Sequence, residues 1–165
     1  MDAYSPSSWG LAFSATASAA AALTGLLFVA LSINLKQIIA NPGLVARAIE
    51  VIVVLSAALI LSTLLLMPGQ PIAVAAIEMI VIAVAVSVVT GRIQMRTDRK
   101  ALGLSRRAFM SRIVGAHTGP VFLLVGAVSL LTQTGGGLYW VVPALLAMIS
   151  VSIVGAWVML VEILR

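Results

Sequence analysis

The sequence predicts an all-α fold, a polytopic transmembrane helical bundle of five spans with the amino terminus outside and the carboxyl terminus inside. Hydrophobic residues make up 62% of the 165 residues, charged residues make up 9%, and the mean hydropathy is +1.19. A soluble domain is about half apolar and about a quarter charged. The apolar residues form long runs, and most Lys and Arg residues collect in one segment, 91–112. Lipid is therefore the predicted solvent of most of the chain.

Five apolar runs reach the length of about 20 residues that a helix needs to cross a hydrocarbon core about 30 Å thick. They predict five spans within a single transmembrane domain of residues 1–165, at about 13–35, 47–67, 71–90, 113–133 and 139–164. The first run lacks the positively charged start of a cleaved signal, which predicts a retained helix. Turn residues separate the later runs, at Asn41-Pro42-Gly43, at Pro68-Gly69-Gln70-Pro71 and at TGGGL (134–138).

The basic segment 91–112 sets the predicted orientation. Its cations are Arg92, Arg96, Arg99, Lys100, Arg106, Arg107 and Arg112, and its one acid is Asp98. Membrane proteins keep such segments in the cytoplasm. With five spans, the remaining cations Lys36, Arg47 and Arg165 then also fall on the cytoplasmic side. The seven cations of the segment are also predicted contacts for anionic lipid headgroups, each worth about 1 kcal/mol near the surface. The alternative is that they only set the topology, and both roles can hold together.

Small residues at helical spacing form stripes on three predicted spans. The predicted packing residues are Ser14, Ser18 and Gly25 in the first span, Gly115, Gly119 and Gly126 in the fourth, and Ser152 and Gly155 in the fifth. Small side chains let helix backbones approach closely in lipid. The stripes therefore indicate either packing within one chain or association between chains.

Glu78 is the one ionisable residue well inside a predicted span. A charge at such a depth costs at least about 2.5–3.5 kcal/mol on insertion scales. One interpretation is a proton or cation transport site. The other is a structural hydrogen bond or subunit contact, with Ser18, Ser62 and Thr63 as candidate partners, and the aliphatic neighbours of Glu78 favour it.

Three further polar residues, Asn34, Glu50 and His117, lie near the predicted cytoplasmic interface. Glu50 is expected to pair with Arg47, Lys36 or His117. These residues are interpreted as groups that snorkel or cap helix ends, or alternatively as the inner part of a transport path that includes Glu78.

Other chemistry is not predicted. The chain has no cysteine and one histidine, so thiolate, haem and multi-histidine metal sites are not expected, and no cofactor is predicted. Motifs for hydrolases, metalloproteases and nucleotide binding are absent from the sequence, so an enzyme is not predicted. Nucleic acid is not a predicted partner, because the cations lie at the ends of apolar runs and not on a soluble basic face.

The runs ALTGLLFVALSINLKQI (22–38) and LSTLLLMPGQP (61–71) resemble a group of small, uncharacterised multipass membrane proteins of high-G+C Gram-positive bacteria. The resemblance covers mainly the first two spans. It implies a bacterial plasma-membrane bundle and supplies neither an activity nor functional residues.

Three functions are compatible with these patterns. The first is a bundle that acts by association, as a homo-oligomer or as an accessory subunit of a membrane complex. The second is a small ion or proton channel or transporter that uses Glu78. The third is an anionic-lipid-binding protein that acts through segment 91–112.

Overall fold

The computed structural model describes residues 3–96 and 106–163, and this part of the chain is helical without any strand. The α-helices are α1 (Gly10–Ile33), α2 (Leu35–Ala40), α3 (Pro42–Leu64), α4 (Ile72–Arg96), α5 (Arg106–Thr132) and α6 (Val141–Ile163). Single 3-10 turns at Pro6–Trp9 and Gly137–Trp140 precede α1 and α6. Five helices, all except α2, are long and apolar enough to cross a membrane.

The four helices from α3 to α6 form a closed ring. Each packs against the next one in the chain, and α6 closes the ring by packing against α3. Helices α3 and α5 therefore face each other across the ring. Its interior is filled by apolar side chains that are almost completely buried, among them Leu61, Met79, Leu123 and Met148.

Helix α1 lies outside this ring, mainly against α3. Phe13, Ala20 and Leu27 form its buried side. In the most apolar 18-residue stretch of the first span only 11% is buried, whereas 50% is buried in the corresponding stretch of α3. The first span is therefore the least enclosed part of the bundle.

The two ends of the bundle differ in charge. The link between α1 and α3, the end of α4 and the start of α5 lie at one end, here called the basic end, together with every Lys and Arg whose position is described. The opposite end holds the first 3-10 turn, the link between α3 and α4, and the Gly-rich turn before α6. There the Leu138 N–H donates to the Ala3 carbonyl at 2.8 Å, and the rings of Trp9 and Tyr139 pack edge to face with centroids 4.7 Å apart.

Two predicted boundaries were wrong at the basic end. Asn41-Pro42-Gly43 was expected to be a turn in a polar link, but it begins α3. The Asn41 side chain accepts a hydrogen bond from the Gly43 N–H at 3.0 Å, and Pro42 occupies the first turn. Asparagine at the N-cap and proline at the first helical position are both favourable.

The basic segment 91–112 was expected to be a loop with a short helix over 106–112. A helix does begin at Arg106, but it runs on through the fourth span as α5, and α4 continues to Arg96. Helical hydrogen bonding does not end where the apolar run ends, and Arg and Gln are good helix formers. Most cations of this segment therefore project from helix ends.

Candidate functional site

A buried ion pair lies at the basic end of the ring. Arg112, in the second turn of α5, donates from Nε to Glu50 Oε2 on α3 at 2.7 Å, and its Nη2 lies 2.6 Å from the same oxygen. Each of the two side chains is only 9% exposed. Charges as buried as these need a partner, because burial removes their hydration.

This pairing differs from both expectations for its members. Glu50 was expected to pair with Arg47, Lys36 or His117, and its described partner is Arg112. Arg112 was expected to contact anionic lipid headgroups from the surface, and its guanidinium is instead buried against a carboxylate. The two residues are 62 positions apart, so no local pattern in the sequence indicates the pair.

The ion pair leaves two buried polar atoms without a hydrogen bond to any described residue, Glu50 Oε1 and Arg112 Nη2. The Nη2 group is close to Oε2, but it forms no hydrogen bond of acceptable direction with it. Both residues line a cleft of about 380 Å³ between α3, α5 and α6. Arg47, Ser111, Ser150 and Ser152 line the same cleft, together with apolar side chains.

Glu78 lies near the opposite end and is half buried. Its Oε2 accepts a hydrogen bond of 2.7 Å from Gln70 Nε2, in the link between α3 and α4. The expected partners were wrong: Thr63 donates to the Leu59 carbonyl of its own helix, Ser18 is exposed, and the buried Ser62 hydroxyl makes no hydrogen bond with the described residues. Gln70 was not predicted as a partner of Glu78, because it had been assigned only to the turn between the second and third spans.

His117 and Asn34 make local contacts. The His117 Nδ1 is 2.9 Å from the Ile113 carbonyl oxygen of the same helix, so Nδ1 donates in this arrangement. Asn34 Nδ2 donates to the Ala30 carbonyl at 2.9 Å, at the end of α1. The described contacts do not bring Glu78, His117, Glu50 and Asn34 together into one site.

Four cations of the basic segment, Arg92, Arg96, Arg106 and Arg107, are exposed at the ends of α4 and α5. Arg99 and Lys100, which were grouped with them, lie outside the described residues.

The small residues of α5 and α6 lie inside the bundle. A Cβ added to Gly119 would lie 3.2 Å from the Ala144 carbonyl oxygen, and one added to Gly115 would lie 3.3 Å from Val151. A Cβ added to Gly126 would lie 2.9 Å from Met79, and one added to Gly155 would lie 2.7 Å from Val51. Ser152 is buried and donates to the Met148 carbonyl. These residues permit the close approach of α5 and α6 to each other and to their neighbours.

The stripe of α1 has the opposite placement. All of its members are exposed, and they are Ser14, Ser18, Ala21, Gly25, Phe28 and Ser32. A Cβ added to Gly25 would meet nothing within 4 Å. The sequence pattern that marks packing in α5 and α6 therefore marks an open face in α1.

The fold and these sites define an all-helical protein with five helices able to cross a membrane. No protein-family model, curated protein or solved structure matches the chain. Among the described residues, no group of three or more His, Cys, Asp or Glu side chains is placed to hold a metal ion.

Proposed function

We propose that this protein is a multi-pass bundle of the bacterial plasma membrane that acts by association, with α1 of one protomer packed against α1 of a second copy. The observation that carries the proposal is the outward direction of the small-residue stripe on α1. The corresponding stripes of α5 and α6 are filled within the chain. Of the three stripes in the described helices, the one on α1 is therefore left without an occupant.

The spacing of the stripe fits a helix pair. Its members follow one another at intervals of four and three residues from Ser14 to Ser32, which is a seven-residue repeat. Such a repeat suits two parallel helices that cross at about +20° in a left-handed pair. Two copies in the same membrane have the same orientation, and a two-fold axis along the membrane normal then places equivalent residues of the stripe opposite each other.

Polar groups on the stripe support the same contact. The hydroxyls of Thr16, Thr24 and Ser32 donate to carbonyls of their own helix, whereas Ser14 and Ser18 are exposed on the stripe. A hydroxyl that faces lipid gains from a hydrogen bond to a neighbouring helix, about 0.6–2 kcal/mol in membrane systems.

The rest of the exposed arc of α1 suits lipid. Its large apolar members are Leu11, Leu26, Val29 and Ile33, which are 92%, 67%, 58% and 76% exposed. Bulky aliphatic side chains gain little from leaving hydrocarbon for another protein surface, because lipid tails are equally apolar. The small-residue stripe is therefore suited to contact with a second helix, and the part of the arc with bulky aliphatic side chains is suited to lipid.

We further propose that the amino terminus lies outside and the basic end faces the cytoplasm. The described Lys and Arg residues belong to the basic end, and the links at the opposite end contain none. This distribution supports the orientation through the positive-inside rule. Anionic headgroups of the inner leaflet would then surround Arg92, Arg96, Arg106 and Arg107.

A transport role for Glu78 has less support. Its carboxylate is engaged by Gln70 near the opposite end of the bundle, whereas Glu50 lies near the basic end. Between them the ring is filled by apolar side chains such as Leu61, Met79 and Met148. The described residues therefore offer no polar path from one carboxylate to the other.

Cysteine cross-linking tests the association directly, because the natural chain has no cysteine. Ser18→Cys places a thiol on the stripe, and Ala19→Cys is its matched control. Both positions are exposed and lie at almost the same depth, but they point about 100° apart around the helix. We expect oxidation of native membranes to give a disulfide-linked homodimer with Ser18→Cys and little with Ala19→Cys.

Three other outcomes have defined meanings. Equal dimer yields from the two variants would indicate random collision and contradict the proposed face. Absence of the dimer with Ser14→Cys, Ser18→Cys and Gly25→Cys would exclude self-association through α1. A discrete heavier adduct of Ser18→Cys with a second protein would instead indicate an accessory subunit.

A further inference from the structure

A narrow groove lies on the outer surface of the bundle, between α1 and α6. Both helices pack against α3 but make little contact with each other, and the space left between them has a volume of about 270 Å³. Buried side chains form its floor, among them Leu27 on α1, Leu55 on α3 and Met159 on α6. Exposed side chains form its rims, with Leu26 on α1 and Ile153 on α6. The groove therefore opens sideways, toward the solvent that surrounds the spans.

The lining of the groove is apolar. Two of the described lining residues carry a polar side-chain atom, Ser152 and Trp157. Ser152 is buried, and its hydroxyl donates to the Met148 carbonyl of its own helix at 2.9 Å. An ion, a sugar or a nucleotide would therefore lose its hydration here without an equivalent gain in hydrogen bonds. The groove is suited to hydrocarbon.

The position of the groove along α6 places it in one leaflet of a membrane. Trp140 directly precedes α6, and at the rise of an α-helix Trp157 lies about 25 Å further along. Tryptophan prefers the two interfaces of a membrane, whose hydrocarbon core is about 30 Å thick. The two rings therefore mark the two interfaces. The groove extends over residues 152–160 of α6, so it lies in the leaflet at the basic end and reaches that interface at Trp157.

Cationic charge borders the interface end of the groove. Ile38 of α2 packs in one buried cluster with Leu27 and Met159, which are floor residues of the groove. Lys36 lies on the same short helix and is exposed, and none of the described lining residues is acidic. An indole and an ammonium at this end are complementary to the ester region and the phosphate of a phospholipid.

The size of the groove limits its apolar occupants. Its volume is just below the range of about 300–1,000 Å³ that is usual for sites of drug-sized ligands. A helix of a second protein, about 10–12 Å across, is too wide for such a space, whereas one hydrocarbon chain fits. The stripe on α1 that we assign to a second copy is also on another side of the helix, because Gly25 and Leu27 point about 160° apart. An empty groove would leave its floor without contacts, which costs stability.

We propose that this groove holds one acyl chain of a phospholipid from the leaflet at the basic end. The chain lies along Leu27, Leu55 and Ile153, and its ester region meets Trp157. The phosphate then lies at the membrane surface, within reach of Lys36. The lipid fills the gap that α1 and α6 leave open. This inference does not depend on association through α1, and the site is separate from the cleft at Glu50.

Native mass spectrometry of the full chain counts the lipid that remains on each protomer. The protein is released from nanodiscs of phosphatidylglycerol, and the surrounding lipid is removed stepwise with detergent. We expect one phosphatidylglycerol per protomer to remain after the other lipids have left. A smooth ladder of adducts without a favoured stoichiometry would overturn the proposal.

Two substitutions on α1 locate the retained lipid. Ala30 lines the groove, and Ala22 is exposed outside it. A phenylalanine ring at position 30 takes space that the chain needs, so we expect Ala30→Phe to lower the retained lipid about tenfold or more. The matched control Ala22→Phe is expected to retain as much lipid as the wild type. Unchanged retention in Ala30→Phe, or an equal loss in both variants, would overturn the location.

Photo-cross-linking tests the same location in the wild-type protein. The probe is phosphatidylglycerol with a diazirine in the middle of one acyl chain, supplied at about one lipid per protomer. We expect adducts on Leu26 and Ile153, and few on Val84 and Val88 of α4, which are comparably exposed on the bundle surface. Equal labelling of the two surfaces would show surrounding lipid only and would overturn the proposal.

Cysteine variants separate a lipid from a second copy in the groove. Leu26→Cys and Ile153→Cys protomers are expressed together in one membrane and oxidised. We expect no disulfide between the two kinds of protomer, because a lipid chain occupies the space between the rims. A disulfide-linked dimer of the two variants would assign the groove to a second copy and would overturn the proposal.

Discussion

Arg112 and Glu50 join two helices that face each other across the ring. The Arg112 Nη2 lies 2.6 Å from Glu50 Oε2, and both side chains are 9% exposed. Since α3 and α5 are not sequential neighbours in the ring, this contact fixes their separation at the basic end.

Removal of one partner of this pair is expected to destabilise the fold strongly. Arg112→Met leaves the Glu50 carboxylate buried without its counter-charge, and such changes cost about 3–5 kcal/mol. Replacement of both, in Glu50→Leu/Arg112→Met, is expected to restore most of the lost stability, because an apolar pair of similar volume has no charge to desolvate. The measurement is the free energy of unfolding in mixed micelles for the two single variants and the double variant.

Additive losses in that double-mutant cycle would show that the two side chains do not interact, and would contradict the ion pair. A suitable control is Arg107→Met, because Arg107 is exposed on the same helix. It is expected to change the free energy of unfolding by less than about 1 kcal/mol.

Glycine substitutions are expected to separate the inner helix contacts from the outer face of α1. Gly119→Val places side-chain atoms against Ala144 and Met148, and overpacking of this kind costs about 1–3 kcal/mol. Gly25→Val meets nothing within 4 Å in the protomer, so we expect it to leave the melting temperature of the monomer nearly unchanged.

For self-association we expect the reverse order, with the larger effect in Gly25→Val. Gly25→Val is expected to weaken the dimer, because it adds bulk where two α1 helices approach. An equal loss of monomer stability in both variants would contradict the placement of α1, and a dimer unaffected by Gly25→Val would contradict the proposed face.

Glu78 is expected to have a structural role. Glu78→Gln keeps an oxygen acceptor for Gln70 and should change the free energy of unfolding by less than about 1 kcal/mol, whereas Glu78→Leu leaves the Gln70 amide unpaired and should cost about 1–3 kcal/mol. Flux of protons and monovalent cations into liposomes, measured for the wild type and Glu78→Gln, provides the functional comparison. Flux in the wild type that is lost in Glu78→Gln would establish transport and contradict this account.

The fold class could be predicted because it depends on average properties of long segments. Each of the five predicted spans overlaps a helix of the structure over most of its length. The boundaries were less predictable at the basic end, because helices there continue past the apolar runs. The start of α3 did have a local signal, since Asn41 followed by Pro42 is a typical N-cap with proline in the first turn.

The candidate sites were less predictable because they depend on the neighbours of each helix face. The same small-residue spacing occurs in α1 and α5, yet Gly119 is closed by α6 and Gly25 is open. Nothing in either stripe specifies whether another helix of the chain covers it. The partner of Glu50 was equally hidden, because its position depends on how α3 and α5 are placed across the ring.

The particle mass of the wild-type protein in native nanodiscs, extracted without exchange of lipid, tests the central claim most directly. Association through α1 predicts a mass of at least two protomers, shifted toward one protomer by Gly25→Val and unchanged by a substitution on the lipid-facing surface of α4, such as Val84→Leu. A wild-type particle that contains one protomer and no other protein would contradict the account.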